Sequence, residues 1–211
     1  VGEKRLLKIR PDRGGMALEI TDEPEPLFVS VEVATRRRLA EGTVVTPAQM
    51  EQLRGESQSF LCERKAGDLL AYRDHSEGEL AGKLRRRGFQ TEAIKSALEK
   101  YRQMGALDDA RFAHTVASSL LDHRPCGKPY LIAFLQRKRI SRDLAEQTAE
   151  MLLGATDDHT RAVAALESRW SRISQFALET ARQKAYNYLS RRGFGYGAAK
   201  TAFDQLWQSE D

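Results

Sequence analysis

Positive charge is the chemical resource this sequence concentrates. Arg36, Arg37 and Arg38 stand together, as do Arg85, Arg86 and Arg87, then Arg137, Lys138 and Arg139, and finally Arg191 and Arg192. Such side chains supply fixed charge and hydrogen-bond donors, which meet phosphates and carboxylates. Two readings fit them. Cations in the last turn of a helix complement the negative end of its dipole, worth about 0.3–1 kcal/mol each. If repeated units stack regularly, the same runs make an intermittent basic stripe for phosphates or acidic side chains. Phe89, Phe194 and Tyr196 nearby read as packing residues in preference to base-stacking platforms.

Residues for catalysis are sparse. His75, His114, His123 and His159 are scattered over different segments and read as surface or turn residues. There is no HExxH, GxSxG, Walker or dinucleotide fingerprint. Gly193, Gly195 and Gly197 follow no strand, so "RRGFGYGAA" reads as a connection between helices. Cys62 and Cys126 form no CxxC pair and no zinc spacing, so both are expected as reduced thiols. No enzyme activity, metal or cofactor is expected. In "ALDDARFAHT", Asp108 suits a helix N-cap, Asp109 its acid-favouring first turn and Phe112 a core anchor, with Arg111 pairing locally or reaching solvent. The alternative is a functional motif at a junction between repeats.

The elements that must position these residues are written into a recurring phrase. "KLRRRGFQTEAIKSAL" from Lys83 and "YLSRRGFGYGAAKTAF" from Tyr188 share a grammar. Ser76 and Glu79 have capping-box spacing, and Leu80 and Leu84 make one apolar face. Gly88 supplies a left-handed stop over which Phe89 folds. Ile94, Ala97, Leu98 and Tyr101 then mark a second apolar face, matched by Ala199, Ala202, Phe203 and Leu206. Midway, "FLQRKRISRDLAEQTAEML" offers Leu135, Ile140 and the stripe Ala145, Thr148, Ala149 and Leu152. Arg139 takes the glycine position there, so a different, strained cap is expected. Amphipathic segments at Asp68–Arg73, Asp109–Leu121 and His159–Trp170 precede the three copies. Tyr130, Ile132, Phe134 and Leu135 give the middle copy an unusually apolar circumference, with Phe134 expected to be enclosed by the neighbouring repeats and, as the alternative, to form part of a partner-binding surface.

The period of roughly fifty residues fits a repeat array. The expected fold is mainly α: an elongated, curved array of three tandem three-helix, helix-turn-helix-like repeats with a small N-terminal strand-containing element. Met16, Leu18 and Ile20 alternate, as do Leu27, Val29 and Val31, with "DRGG" as a turn. "VEVATRRRLAEG" reads as a short helix closed by Gly42, and Thr46, Pro47 and Gln49 as another helix start. The expected divisions are 1–58, then repeats over 59–108, 109–155 and 156–211. Lys and Arg number 34 against 30 acidic residues, a net +4 that permits a nucleic-acid or acidic partner without requiring one. No apolar run approaches a membrane span, and "VGEKRLLKIRPDRGG" has too short an apolar centre for a secretory signal, so a cytoplasmic protein is expected.

"HSEGELAGKLRRRGF", "GALDDARFA" and "GKPYLIAFLQRKRIS" together resemble the RecX family of bacterial recombination regulators. Ser76, Glu79, Leu80, Leu84, Gly88 and Phe89 carry the first part, and Leu107, Asp108, Asp109, Arg111, Phe112 and Ala113 the second. Gly127, Leu131, Leu135 and Ile140 carry the third. The resemblance is clearest over residues 68–152 and extends to the third repeat and the N-terminal element. Arg139 departs from the family's usual glycine, and Lys128-Pro129 shifts its Gly-Pro turn by one residue. The resemblance implies a regulator of homologous recombination, DNA repair and the SOS response. Proteins similar to this bind the RecA filament on single-stranded DNA, lie in its groove and inhibit its ATPase, strand-exchange and co-protease activities. It implies no catalytic residues, no cofactor and no membrane partner, and a monomer is expected. Single- or double-stranded DNA backbone is a further expected contact. The alternative is an independent basic DNA-binding module built from the helix-turn-helix-like repeats.

Overall fold

The computed structural model describes residues 4–154 and 157–209. Strands β1 (Lys4–Asp12), β2 (Gly15–Ile20), β3 (Leu27–Ser30) and β4 (Val44–Val45) form an antiparallel sheet in the order β3-β2-β1-β4. The β1–β2 turn is the two residues Arg13 and Gly14, both with positive φ, as a tight hairpin requires. Helix α1 (Val31–Arg36) begins at the first residue of "VEVATRRRLAEG", as expected, and the Ser30 hydroxyl, accepting from the Val33 N–H, ends the strand alternation before Val31. It ends before the expected Gly42. Arg38 adopts φ 50°, and its N–H and that of Leu39 donate to Thr35 and Ala34, closing the helix there.

Helix α2 (Pro47–Tyr72) starts at the expected capping box of Thr46 and Gln49 and then runs unbroken for 26 residues, about 39 Å. Its first half lays Met50 and Leu53 on Leu6, Leu18 and Val29 of the sheet, while the Ser57 hydroxyl accepts from the Phe28 N–H. Its second half carries Cys62 and Ala66 into a different core. The expected division at 58/59 therefore falls inside one helix, and Asp68–Arg73 is that helix's end. Gly55 inside it has open space beside it and does not interrupt it.

The remaining helices are α3 (Glu77–Arg85), α4 (Thr91–Gln103), α5 (Asp109–His123), α6 (Lys128–Arg137), α7 (Arg142–Leu153), α8 (Asp158–Ile173), α9 (Leu178–Arg191) and α10 (Tyr196–Gln208). Three separate apolar cores follow the three repeats. In each, the first helix packs on the third: α2 on α4, α5 on α7, α8 on α10. Fully buried small residues face the crossing, namely Ala66 and Ala97, Ala113 and Ala145, and Ala165 and Ala202. All three expected third-helix stripes are turned inward. The chain forms two compact units, one of Val1–His75 with Glu79–Leu107 and one of Ser76–Gly78 with Asp108–Asp211. The sheet thus shares a unit with the first repeat, and the second and third repeats share the other. The expected 155/156 division lies outside the described residues.

Each second helix ends in the same left-handed turn. Gly88 (φ 83°) donates to Arg85 O at 3.0 Å and Phe89 to Leu84 O at 3.4 Å. Gly193 (φ 80°) and Phe194 repeat this with Ser190 and Leu189, at 2.9 and 3.1 Å. Contrary to the expectation of a different cap, Arg139 (φ 61°) and Ile140 make the same pair of bonds to Gln136 and Leu135, at 2.8 and 3.2 Å. Burial of Leu135 and Ile140 fixes the turn, so Arg139 accepts a conformation that costs a non-glycine residue about 1–2 kcal/mol.

Within the second unit these turns also receive neighbouring backbone. The Gly127 N–H donates to Arg192 O at 2.9 Å, and a Cβ on Gly127 would stand 2.1 Å from Gly193 O. The Arg192 guanidinium donates to Pro125 O at 3.1 Å. At the Arg139 turn, Ser76 Oγ donates to Lys138 O at 2.6 Å, and a Cβ on Gly78 would lie 2.7 Å from the Arg139 Cβ.

Two outcomes are expected in chemical denaturation. Arg139→Gly raises stability by about 0.5–1 kcal/mol, the relieved strain outweighing glycine's extra chain entropy. An unchanged or lower midpoint would show that the Arg139 side chain supports its own turn. Gly127→Ala destabilises the second unit by about 3 kcal/mol or more, because its methyl meets backbone that cannot rotate away. A wild-type melting curve for that variant would mean that the junction yields.

Candidate functional site

The four basic runs do not share one fate. Glu56 on α2 takes Arg36 (Nη2–Oε1, 2.9 Å) and Arg37 (Nε–Oε2, 2.8 Å), and Gln52 adds a bond to Arg37 at 3.1 Å. These two arginines fasten α1 to α2. Arg192 is likewise committed, lying 4.9 Å from the Tyr188 ring centre while bonding Pro125. The others face solvent at the left-handed turns: Arg38, Arg85, Arg86, Arg87, Arg137, Arg139 and Arg191 are exposed and Lys138 is half-buried. Arg87 donates to Lys83 O and Arg191 to Asn187 O, while Arg137 and Lys138 lie over the Tyr130 and Phe134 rings. Among the described residues, no carboxylate pairs with any of these eight. The shared turn therefore gives the first two repeats an outward cluster of charge without a carboxylate partner, and the third a single such cation, Arg191.

The "LDDARFA" segment is structural in its bonding. The Asp108 carboxylate accepts from the Arg111 N–H at 2.9 Å, and Phe112 is buried. Asp109 does more than favour its own helix start: its carboxylate accepts from the Glu77 N–H at 2.7 Å, at the head of α3. Ser76 spends its proton on Lys138 O, and Glu79 pairs with Arg73 at 3.0 Å. Leu80 is fully buried, while Phe89 packs over the core beyond Gly88.

His75 lies in a connection, as a turn residue, but is not at the surface: it is only 2% exposed. Its Nδ1–H donates to Arg73 O at 2.8 Å, and its Nε2 accepts from Lys83 Nζ at 2.6 Å. Burial pushes both pKa values down, favouring the neutral ring that this bond needs. His114 and His123 are exposed, and His159 is partly so. Cys62 and Cys126 are free thiols with no exposed surface, and burial raises each pKa to about 11. Among the described residues no group of His, Cys, Asp and Glu could hold a metal, and no helix is long and apolar enough to cross a membrane.

Two features escaped the sequence. Phe134 is not enclosed. It forms one wall of an open groove of about 570 Å³ with Val116, Leu120 and Lys138. In the third repeat, Arg169 and Arg172 of α8 and Lys184, Tyr188 and Arg191 of α9 line a cleft of about 460 Å³ with Phe176 at its edge. The available signal was spacing: Arg169 and Arg172 are three apart, and Lys184, Asn187, Tyr188 and Arg191 fall at i, i+3, i+4 and i+7, one helical face.

Comparison with known proteins agrees with this architecture. The RecX first three-helix domain matches residues 62–100 and the RecX third three-helix domain residues 156–203. The regulatory protein RecX of Pelodictyon phaeoclathratiforme is 31% identical over 138 residues, 65% of this chain and 84% of that protein. That of Syntrophotalea carbinolica is 33% identical over 130 residues, 60% of this chain and 83% of its own. A crystal structure of regulatory protein RecX superposes with a TM-score of 0.73 at 17% identity, covering 95% of this chain and 99% of that one, so the fold is shared. With its capped three-helix repeats and this likeness over most of its relatives' length, the chain belongs to the RecX family of regulatory proteins.

Proposed function

We propose that this protein binds the RecA filament on single-stranded DNA, lies in its groove and inhibits its ATP hydrolysis, strand exchange and co-protease activity. Family membership supports the regulatory part of this reading. The observation that carries the contact is the recurrence of exposed, carboxylate-free cations at one place in every repeat. A helical polymer presents identical subunits at regular intervals, and a ligand with the same charged feature in successive repeats can answer it several times over. Arg85–Arg87, Arg137–Arg139 and Arg191 would meet acidic side chains or nearby DNA backbone, whereas Arg36, Arg37 and Arg192 would act only by holding the fold. The reading requires no catalytic group and no cofactor, and places the protein in the cytoplasm as a monomer.

The test is DNA-dependent ATP hydrolysis by the cognate recombinase with this protein titrated in. Inhibition well below one chain per recombinase is expected. Full hydrolysis in the presence of excess protein, with filaments still forming, would remove the reading. Reversing Arg85, Arg86 and Arg87 to Glu should raise the inhibitory concentration about tenfold or more at unchanged helicity. Unaltered inhibition by that variant would remove the charged turn as the contact.

A further inference from the structure

We infer that the α8–α9 cleft of the third repeat binds single-stranded nucleic acid, its cations holding backbone phosphates and Phe176 receiving a base. Arg169, Arg172, Lys184 and Arg191 converge on one open volume of about 460 Å³, and no carboxylate lines it. Elsewhere on these helices cations are compensated one turn away, as in Arg161 with Asp158 on α8 and Arg182 with Glu179 on α9. Among the described residues none of the four cleft cations has such a partner. Four like charges around one cleft repel one another, and a polyanion relieves that repulsion while releasing its own counterions.

The aromatic residues narrow the choice of polyanion. Phe176, in the α8–α9 connection, is 43% exposed, although Phe194 and Phe203 of the same repeat are buried. Lys184 Nζ lies 4.4 Å from its ring centre, so a π-face and a cation are presented together. Asn187 adds an amide with both donor and acceptor on the same lining. An unstacked base matches a planar apolar ring with an adjacent cation and amide, and its own backbone brings the phosphates. In a duplex the base faces are already covered by stacking. An acidic peptide would satisfy the charges but bring no planar face to Phe176. The assignment stands apart from the filament reading, because it requires no recombinase.

The experiment is fluorescence anisotropy of a labelled oligothymidylate of about 16 nucleotides with the full chain alone. Phe176→Ala should weaken binding about tenfold by removing one stacking platform. Phe176→Leu, which keeps apolar bulk at the loop, should weaken it similarly. Arg169→Ala with Arg172→Ala should reduce the slope of log affinity against log salt by about 1.4, two single-strand phosphate contacts. Lys200→Ala, which removes an exposed cation of α10 outside the cleft, should leave affinity within about twofold. Circular dichroism checks that each variant is folded. Absence of binding by the unaltered chain would overturn the proposal, as would equal losses from Lys200→Ala and the cleft variants. Tighter binding of polyglutamate or of duplex DNA than of oligothymidylate would overturn it too. Recombinase inhibition, assayed separately, reports on the filament reading whichever way the anisotropy falls.

Discussion

Each repeat is organised by a single backbone constraint: a residue held at positive φ, with two hydrogen bonds crossing the end of the second helix. The crossing bonds bring Leu84 to Phe89, Leu135 to Ile140 and Leu189 to Phe194, so the cap is also the corner of the core. From that corner the third helix departs, and its stripe packs into the core against the first helix. In the last turn of the second helix one side carries the buried leucine, and Arg85, Arg86, Arg137 and Arg191 on its other side are exposed. Charge display and core packing are two sides of one turn.

The turn has a second use inside the unit formed by the last two repeats. Gly127 reaches the backbone of the Arg192–Gly193 corner more closely than any side chain would permit. Arg192 then spans from that corner to Pro125. One cation of the run is thereby withdrawn from the surface, while Arg191 beside it stays exposed. In the other unit α2 plays the joining role by continuity, since one face of its first half meets the sheet and one face of its second half meets Ala93, Ala97 and their neighbours. Two kinds of connection therefore serve one chain, a shared rod and a glycine-to-turn contact.

Features set within a few residues were legible in the sequence. The cap at Gly88, the box at Thr46 and Gln49 and the three apolar stripes all depend on neighbours in the same helix or the next turn. What the sequence concealed depends on tertiary packing and on which partner each polar group finds. Glu56 neutralises Arg36 and Arg37 from the next helix. Leu135 and Ile140 enforce a glycine-like turn on Arg139 by being buried, an override of local preference by packing. His75 is buried because Lys83 and the Arg73 carbonyl satisfy both ring nitrogens, which its polar surroundings in the sequence do not suggest. The α8–α9 cleft unites residues on either side of a loop, and no short motif spells it. The runs of arginine were conspicuous, whereas which of them remain free was a matter of tertiary structure.

The two cysteines give this architecture built-in timekeepers. Cys62 belongs to the first unit and Cys126 to the second, and neither exposes any surface. Burial also keeps each thiol protonated far above neutral pH, so a thiol reagent can reach and ionise it only during an opening of its own unit. The rate at which each sulfur is modified is therefore a clock for that unit's excursions from the native state. With one sulfur in each compact half, the chain carries a separate stopwatch for the opening of each.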